Sequence, residues 1–119
     1  MATTTLFDTR LRVAHLIVPL QAGGTITALA RTALEFASRS ANRVTLVYIT
    51  EASLESLDSG MRRLALVVGT GCAGEAVVKM VVRYGSTVDA VSHVLAQDHG
   101  YVWAGDNAEL QQRFDCIES

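Results

Sequence analysis

The chain has 119 residues, half of them hydrophobic and 18% charged, with a formal net charge of -2 and a pI near 5.8. That length suits one domain able to bury a core and argues against disorder, while the slight acidity excludes the basic footprint that nucleic acid or an anionic membrane attracts. Asp8, Arg10 and Arg12 stand where a signal peptide needs its apolar segment, and no apolar run approaches the roughly 18 residues of a membrane span, so the expectation is a cytoplasmic protein with no membrane insertion and no nucleic-acid partner.

Residues 1–10 read as a polar arm. Leu11 to Leu20 then forms an apolar first strand that ends around Pro19 and passes into a Gly-rich turn through Gly24. This is how a buried parallel strand hands the chain to a crossover helix. In the helix, Ile26, Leu29, Ala30, Ala33, Leu34 and Ala37 recur at three and four, with Thr25 as its N-cap and Ser40 to Asn42 as its exit. Arg43 to Thr50, rich in β-branched residues, reads as a buried second strand and completes a βαβ unit.

Gly69, Gly71 and Gly74 spell G-x-G-x-x-G after the apolar run Leu64 to Val68, the pattern of a dinucleotide-binding turn. The surrounding periodicity speaks against that reading. Leu54, Leu57, Met61, Leu64, Ala65, Val68 and Cys72 fall on one helical stripe, which makes the supposed strand the end of a helix. Ala76 to Tyr84, which would have to be the phosphate-facing helix, holds Val77, Val78, Val81 and Val82 and suits a strand. Asp89, the acid some distance on, opens a helical pattern instead of closing a strand. A dinucleotide-binding oxidoreductase fragment is therefore the lesser alternative, and Gly69 and Gly71 mark a helix exit, where each costs roughly 1 kcal/mol relative to alanine.

As a strand, Ala76 to Tyr84 puts Lys79 and Arg83 with Val77 and Val81 on one face, the charge pattern of a sheet edge. Gly85 turns the chain, and Ser86 to Asp89 is a capping-box variant opening a helix that buries Val88, Val91, Val94 and Leu95 and ends at Gly100 as its C-terminal cap. Tyr101 to Ala104 is a short fourth strand with Trp103 as core. Asn107 then caps a final helix in which Leu110, Phe114 and Ile117 share a face. Asp106 is read either as a cap of that helix or as a group orienting a ligand. Cys72 and Cys116 have no partners at metal spacing and read as reduced thiols, Arg62 and Arg63 as a solvated helix face, and His15, inside an apolar strand, as a structural histidine. His93 and His99, six apart in one expected helix, lack metal-ligand spacing.

LIVPLQAG from Leu16, VTLVYITE from Val44 and VRYGSTVDAVSHVLAQDHGYVWAG from Val82 to Gly105 resemble the first, second and third-to-fourth strand regions of the universal stress protein family. The resemblance implies a three-layer α/β/α domain with a mostly parallel sheet, helices on both faces and frequent homodimers. The family's full strand order is 3-2-1-4-5; this chain stops early enough that the expected order is 3-2-1-4, with the fifth strand missing and residues 106–119 given to a C-terminal helix. Nucleotide-binding members carry an acid after the first-strand proline and a loop of glycine, two residues, glycine, nine residues, glycine and a hydroxyl residue. Here Gln21 takes the place of the acid, Gly105 matches the first loop glycine, Ala108 replaces the second and Glu118 the third. Those replacements remove a carboxylate acceptor and close backbone approaches to phosphate.

The expectation is thus a non-enzymatic regulatory or stress-response module with no cofactor. No nucleophile-and-base grouping stands at the strand ends. Such a module acts through self-association, as a homodimer or other homo-oligomer, and through binding of a protein partner or metabolite; stress-protein-like domains also occur within transporters and sensor kinases. Self-association is expected through the open edge of the fourth strand or through the helix from Asn107 to Ile117. The alternative is an adenine-nucleotide (ATP or AMP) binder, with Leu20, Gln21 and Ile49 flanking the base and Gly105 beneath the ribose or phosphates.

Overall fold

Strands and helices alternate from end to end in the computed structural model, which describes residues 13–21, 26–50, 54–105 and 107–117. The elements are β1 (Val13–Gln21), α1 (Ile26–Ser40), β2 (Ala41–Thr50), α2 (Leu54–Gly69), β3 (Val77–Tyr84), α3 (Thr87–Gln97), β4 (Tyr101–Trp103), α4 (Ala108–Arg113) and β5 (Cys116–Ile117). All strand pairs are parallel, in the order β3-β2-β1-β4-β5. The expected polar arm, Leu11, the Gly-rich turn with Thr25, Asp106 and Glu118 lie outside the described residues, as do the side chains of Leu54 and Leu57.

Alternation along the central strands sorts their side chains into two layers. Leu16, Val18 and Leu20 of β1 and Val44, Leu46 and Tyr48 of β2 pack with Ile26, Ala30, Ala33, Leu34 and Ala37 of α1 and with Leu64 and Val67 of α2. Ile17, Val47 and Ile49 face the opposite way, onto Ala90 and Val94 of α3. Val102 and Cys116 meet Val91 and Leu110 in a third cluster under α3 and α4. Both faces of the sheet are therefore covered, which is why β1 and β2 read as continuous apolar runs.

The helical stripes come out with small rotations. Leu29, expected inside, is 48% exposed. In α2, Val67 is buried in place of Ala65, which is exposed. Small residues bring elements close. A Cβ on Gly60 of α2 would stand 2.1 Å from the hydroxyl of Tyr48, so the buried Tyr48 ring lies directly against that helix. Trp103 is core as expected, its ring 5.1 Å from that of Phe36 at 54°. Cys72 and Cys116 are both free.

The glycine triplet links a helix to a strand, the reverse of a dinucleotide-binding turn, because Leu64 to Val68 is helical and Val77 to Tyr84 is extended. Gly71 and Gly74 have φ of 77° and 61°, a left-handed conformation that lets the chain leave α2 and double back. Ser86 caps α3 by accepting the Asp89 N–H at 3.1 Å, as its spacing predicts. Gly100, expected as the cap at the other end, is not one. Asp98 holds that position, donating its N–H to the Val94 carbonyl at 2.9 Å. What Gly100 supplies is space: a Cβ there would lie 2.6 Å from the His15 carbonyl oxygen.

The expectation that the fifth strand is missing does not hold, nor does a helix running to Ile117. Asn107 caps α4 through a 3.1 Å bond to the Leu110 N–H, but α4 ends at Arg113 and Phe114 is extended at φ -133°, ψ 160°. Cys116 and Ile117 then pair with Val102 and Trp103 as β5. The spacing of Leu110, Phe114 and Ile117 is compatible with either arrangement. Pairing wins because β4 needs hydrogen-bond partners along its outer edge: the Val102 N–H donates to the Asp115 carbonyl at 2.9 Å. The order is therefore 3-2-1-4-5 in full, and the edge of β4 through which self-association was expected is covered.

Candidate functional site

In open parallel sheets, ligands bind outside the carboxyl ends of the strands where the strand order reverses. Here β1 pairs with β2 on one side and β4 on the other, so the reversal lies between Gln21 and Gly105. Gln21 is exposed on the α3 side of β1, and its Nε2 donates to Thr87 Oγ1 at 2.6 Å. Thr87 opens α3 and is buried, so β1's carboxyl end is tied to the start of the helix that crosses over it. Gly105 follows β4 with φ 58°, and a Cβ on it would meet nothing within 4 Å, while its carbonyl accepts from Gln111 Nε2 of α4 at 2.8 Å.

The other two expected site residues are core. Leu20 is 1% exposed and packs in the α1 and α2 layer; Ile49 is 4% exposed and packs against α3 on the opposite face. Of the four, the structure places Gln21 and Gly105 at the reversal point and sets Leu20 and Ile49 beneath it on opposite sides of the sheet.

A second polar group of residues lies on the α3 face, away from this edge. His15 is 2% exposed in the central strand yet fully bonded: Nδ1 lies 3.2 Å from the His99 carbonyl and Nε2 2.7 Å from Thr45 Oγ1. Because a carbonyl only accepts, Nδ1 carries the proton toward His99, and Nε2 is then free to accept from the Thr45 hydroxyl. This is the satisfied structural histidine that the sequence predicts. Asp98, at the end of α3, approaches His15 Nδ1 at 3.8 Å and receives both arms of the Arg43 guanidinium, the second at 3.2 Å. Those bonds hold the Asp98 carboxyl below its ordinary range, against a desolvation effect, with the fields of His15, Arg43 and Lys79 adding to the shift. The same bond raises Arg43 above its usual value.

Beside this network is a cavity of about 230 Å³ lined by His15, Thr45, Lys79, Arg83, Gln97 and Asp98 over an apolar floor of Val81 and Val94. It exists because α3 packs on β1 and β2, leaving the outer part of β3's same face half open. The sequence places Lys79 and Arg83 on one face of an edge strand but gives no sign that Thr45 and His15 share it. That follows from the parallel register, in which Thr45 stands beside both Ile17 and Lys79. Among the described residues no group of three or more His, Cys, Asp or Glu could hold a metal ion, and no helix is long and apolar enough to cross a membrane.

No protein-family profile matches the sequence, and no curated protein matches it. Among solved structures, the chain is similar to protein Rv1636 from Mycobacterium tuberculosis H37Rv. The TM-score is 0.53 at 16% sequence identity, covering 76% of this chain and 68% of that one. Likeness at that identity is likeness of fold, and it agrees with the α/β architecture described above.

Proposed function

We propose that this chain is a non-enzymatic regulatory module of universal-stress-protein type, acting through self-association and through binding of a partner or metabolite. The observation that carries this reading is the carboxyl end of β1. Gln21 stands where nucleotide-binding members of the resembling family keep an acid, and its amide is engaged by Thr87 at 2.6 Å. A carboxamide so held offers a ribose or a metal-bound triphosphate no carboxylate. Self-association is supported by the outer edge of β3, which has no neighbouring strand among the described residues and where Val77 and Tyr84 are 65% and 60% exposed. A second copy pairing along that edge would cover both side chains.

The alternative, an adenine-nucleotide binder, is favoured by one feature: Gly105 presents a left-handed backbone with open space around it at the reversal point. Native mass spectrometry of the purified protein separates the two readings. A dimer or higher oligomer without retained nucleotide is the expected result. A strictly monomeric mass at micromolar concentration would overturn self-association, and an adenine nucleotide carried through purification would put the alternative first.

A further inference from the structure

We propose that the cavity on the α3 face of β2 and β3 is a binding site for a small organic anion, whose carboxylate or phosphate is held between Lys79 and Arg83. This goes beyond the module reading above and is independent of what the carboxyl edge binds. The charge balance of the lining points to an anion. Asp98 supplies the negative charge, and it is already engaged by both arms of Arg43. His15 is saturated by Thr45 and the His99 carbonyl. Two cations then remain in the lining, Lys79 and Arg83, neither in an ion pair among the described residues.

Arg83 adds a more specific sign. One terminal nitrogen donates to the neighbouring Val82 carbonyl at 2.9 Å, while Nε is shielded from water and has no partner among the described residues. A buried, unpaired donor on a charged group is rare and calls for a partner. The guanidinium edge that carries Nε grips a carboxylate or phosphate with two parallel hydrogen bonds, and because Nε is out of water's reach here, the side chain must turn toward the cavity for an anion to engage it. Lys79 lines the same cavity from the same face of β3, as a second point charge. Val81 between them, and Val94 opposite on α3, give the body of the ligand an apolar surface, the usual composition of a small-molecule site.

The test is titration of the isotope-labelled protein with succinate, inorganic phosphate and ATP in separate arms, followed by amide chemical shifts. Saturable shifts at Lys79, Val81, Arg83, Val94 and Gln97 with succinate or phosphate are expected, and which of the two binds tighter identifies the anionic group. Arg83→Gln should weaken that binding at least tenfold, and Arg83→Lys should restore only part of it because the fork is lost. Lys79→Gln, at an exposed position that leaves the fold intact, should weaken it several-fold, while Gln21→Ala should leave it unchanged. Absence of saturable shifts at these residues with either anion, or shifts of equal affinity in wild type and Lys79→Gln, would overturn the proposal. Shifts confined to Gln21, Thr87 and Gly105 in all three arms would likewise overturn it, and in the ATP arm they would bear on the nucleotide reading instead.

Discussion

Replacing Gly100 with alanine isolates the contact that joins the α3–β4 turn to the central strand. The added methyl would stand 2.6 Å from the His15 carbonyl oxygen, 3.0 Å from Nδ1 and 3.1 Å from Cβ of the same residue. The closest of these atoms is backbone in the middle of a parallel sheet and has nowhere to move. The turn must retreat instead. Overpacking of this kind costs about 1–3 kcal/mol. A retreat of even a few tenths of an ångström also stretches the 3.2 Å bond from His15 Nδ1 to the His99 carbonyl. Orphaning a buried donor adds about 1–3 kcal/mol, so the variant should lose about 2–6 kcal/mol in all. In a thermal melt followed by circular dichroism that is a fall of roughly 8–24 °C. Gly69→Ala provides the contrast. Gly69 ends α2 with no positive φ and no atom within 4 Å of the added methyl, so the same substitution there should stabilise by about 0.5–1 kcal/mol. A Gly100→Ala protein melting within about 2 °C of wild type would refute the reasoning, since even the smallest of these costs exceeds that shift.

Gly60→Ala should also destabilise, by about 1–3 kcal/mol, because the methyl would lie 2.1 Å from the Tyr48 hydroxyl and 2.4 Å from Cζ of a ring that is 1% exposed; a chemical-denaturation midpoint measures it, and the near-ultraviolet signal of Tyr48 should change with it. Thr87→Val removes the acceptor of the Gln21 amide and should cost about 0.5–1.5 kcal/mol, read by the same denaturation curve. The lowered Asp98 pKa means that the folded chain binds the proton less readily than the unfolded one. Its contribution to stability is therefore present above the unfolded carboxyl pKa of about 3.9 and is lost as pH falls through the lower folded value. Asp98→Asn should flatten the acid limb of stability measured below about pH 4 and leave its slope near neutrality unchanged. Burial, with Asp115 adding to it, raises the Cys116 thiol, whereas Cys72 is half-buried, so a thiol reagent should label Cys72 first and Cys116 only as the protein unfolds. Equal labelling rates under native conditions would contradict that order.

The candidate site was only half legible in the sequence. Gln21 and Gly105 sit where the strand–turn pattern puts them, because the end of an apolar run marks the end of a buried strand. The same rule points to Leu20 and Ile49, but alternation turns each of them into the core, on opposite faces. The cavity beside Lys79 and Arg83 was not legible at all. It joins residues from β1, β2, β3 and α3, and nothing local to any one of them announces the others.

What the sequence determined by itself is what periodicity and turn chemistry encode. The apolar runs of β1 and β2, the helical stripes of α1 and α3, the Ser86 and Asn107 caps and the buried Trp103 all follow from residues close together in the chain. Even the edge position of β3 was written in its charges. Tertiary structure alone decided β5, where two residues have no period to read and Leu110, Phe114 and Ile117 satisfy a helix equally well. The outcome turned on hydrogen bonds that β4 required from its neighbour. It also decided what Gly100 is for: the signal of a helix cap and that of a close approach are the same residue, and only the His15 carbonyl 2.6 Å from its missing methyl tells them apart.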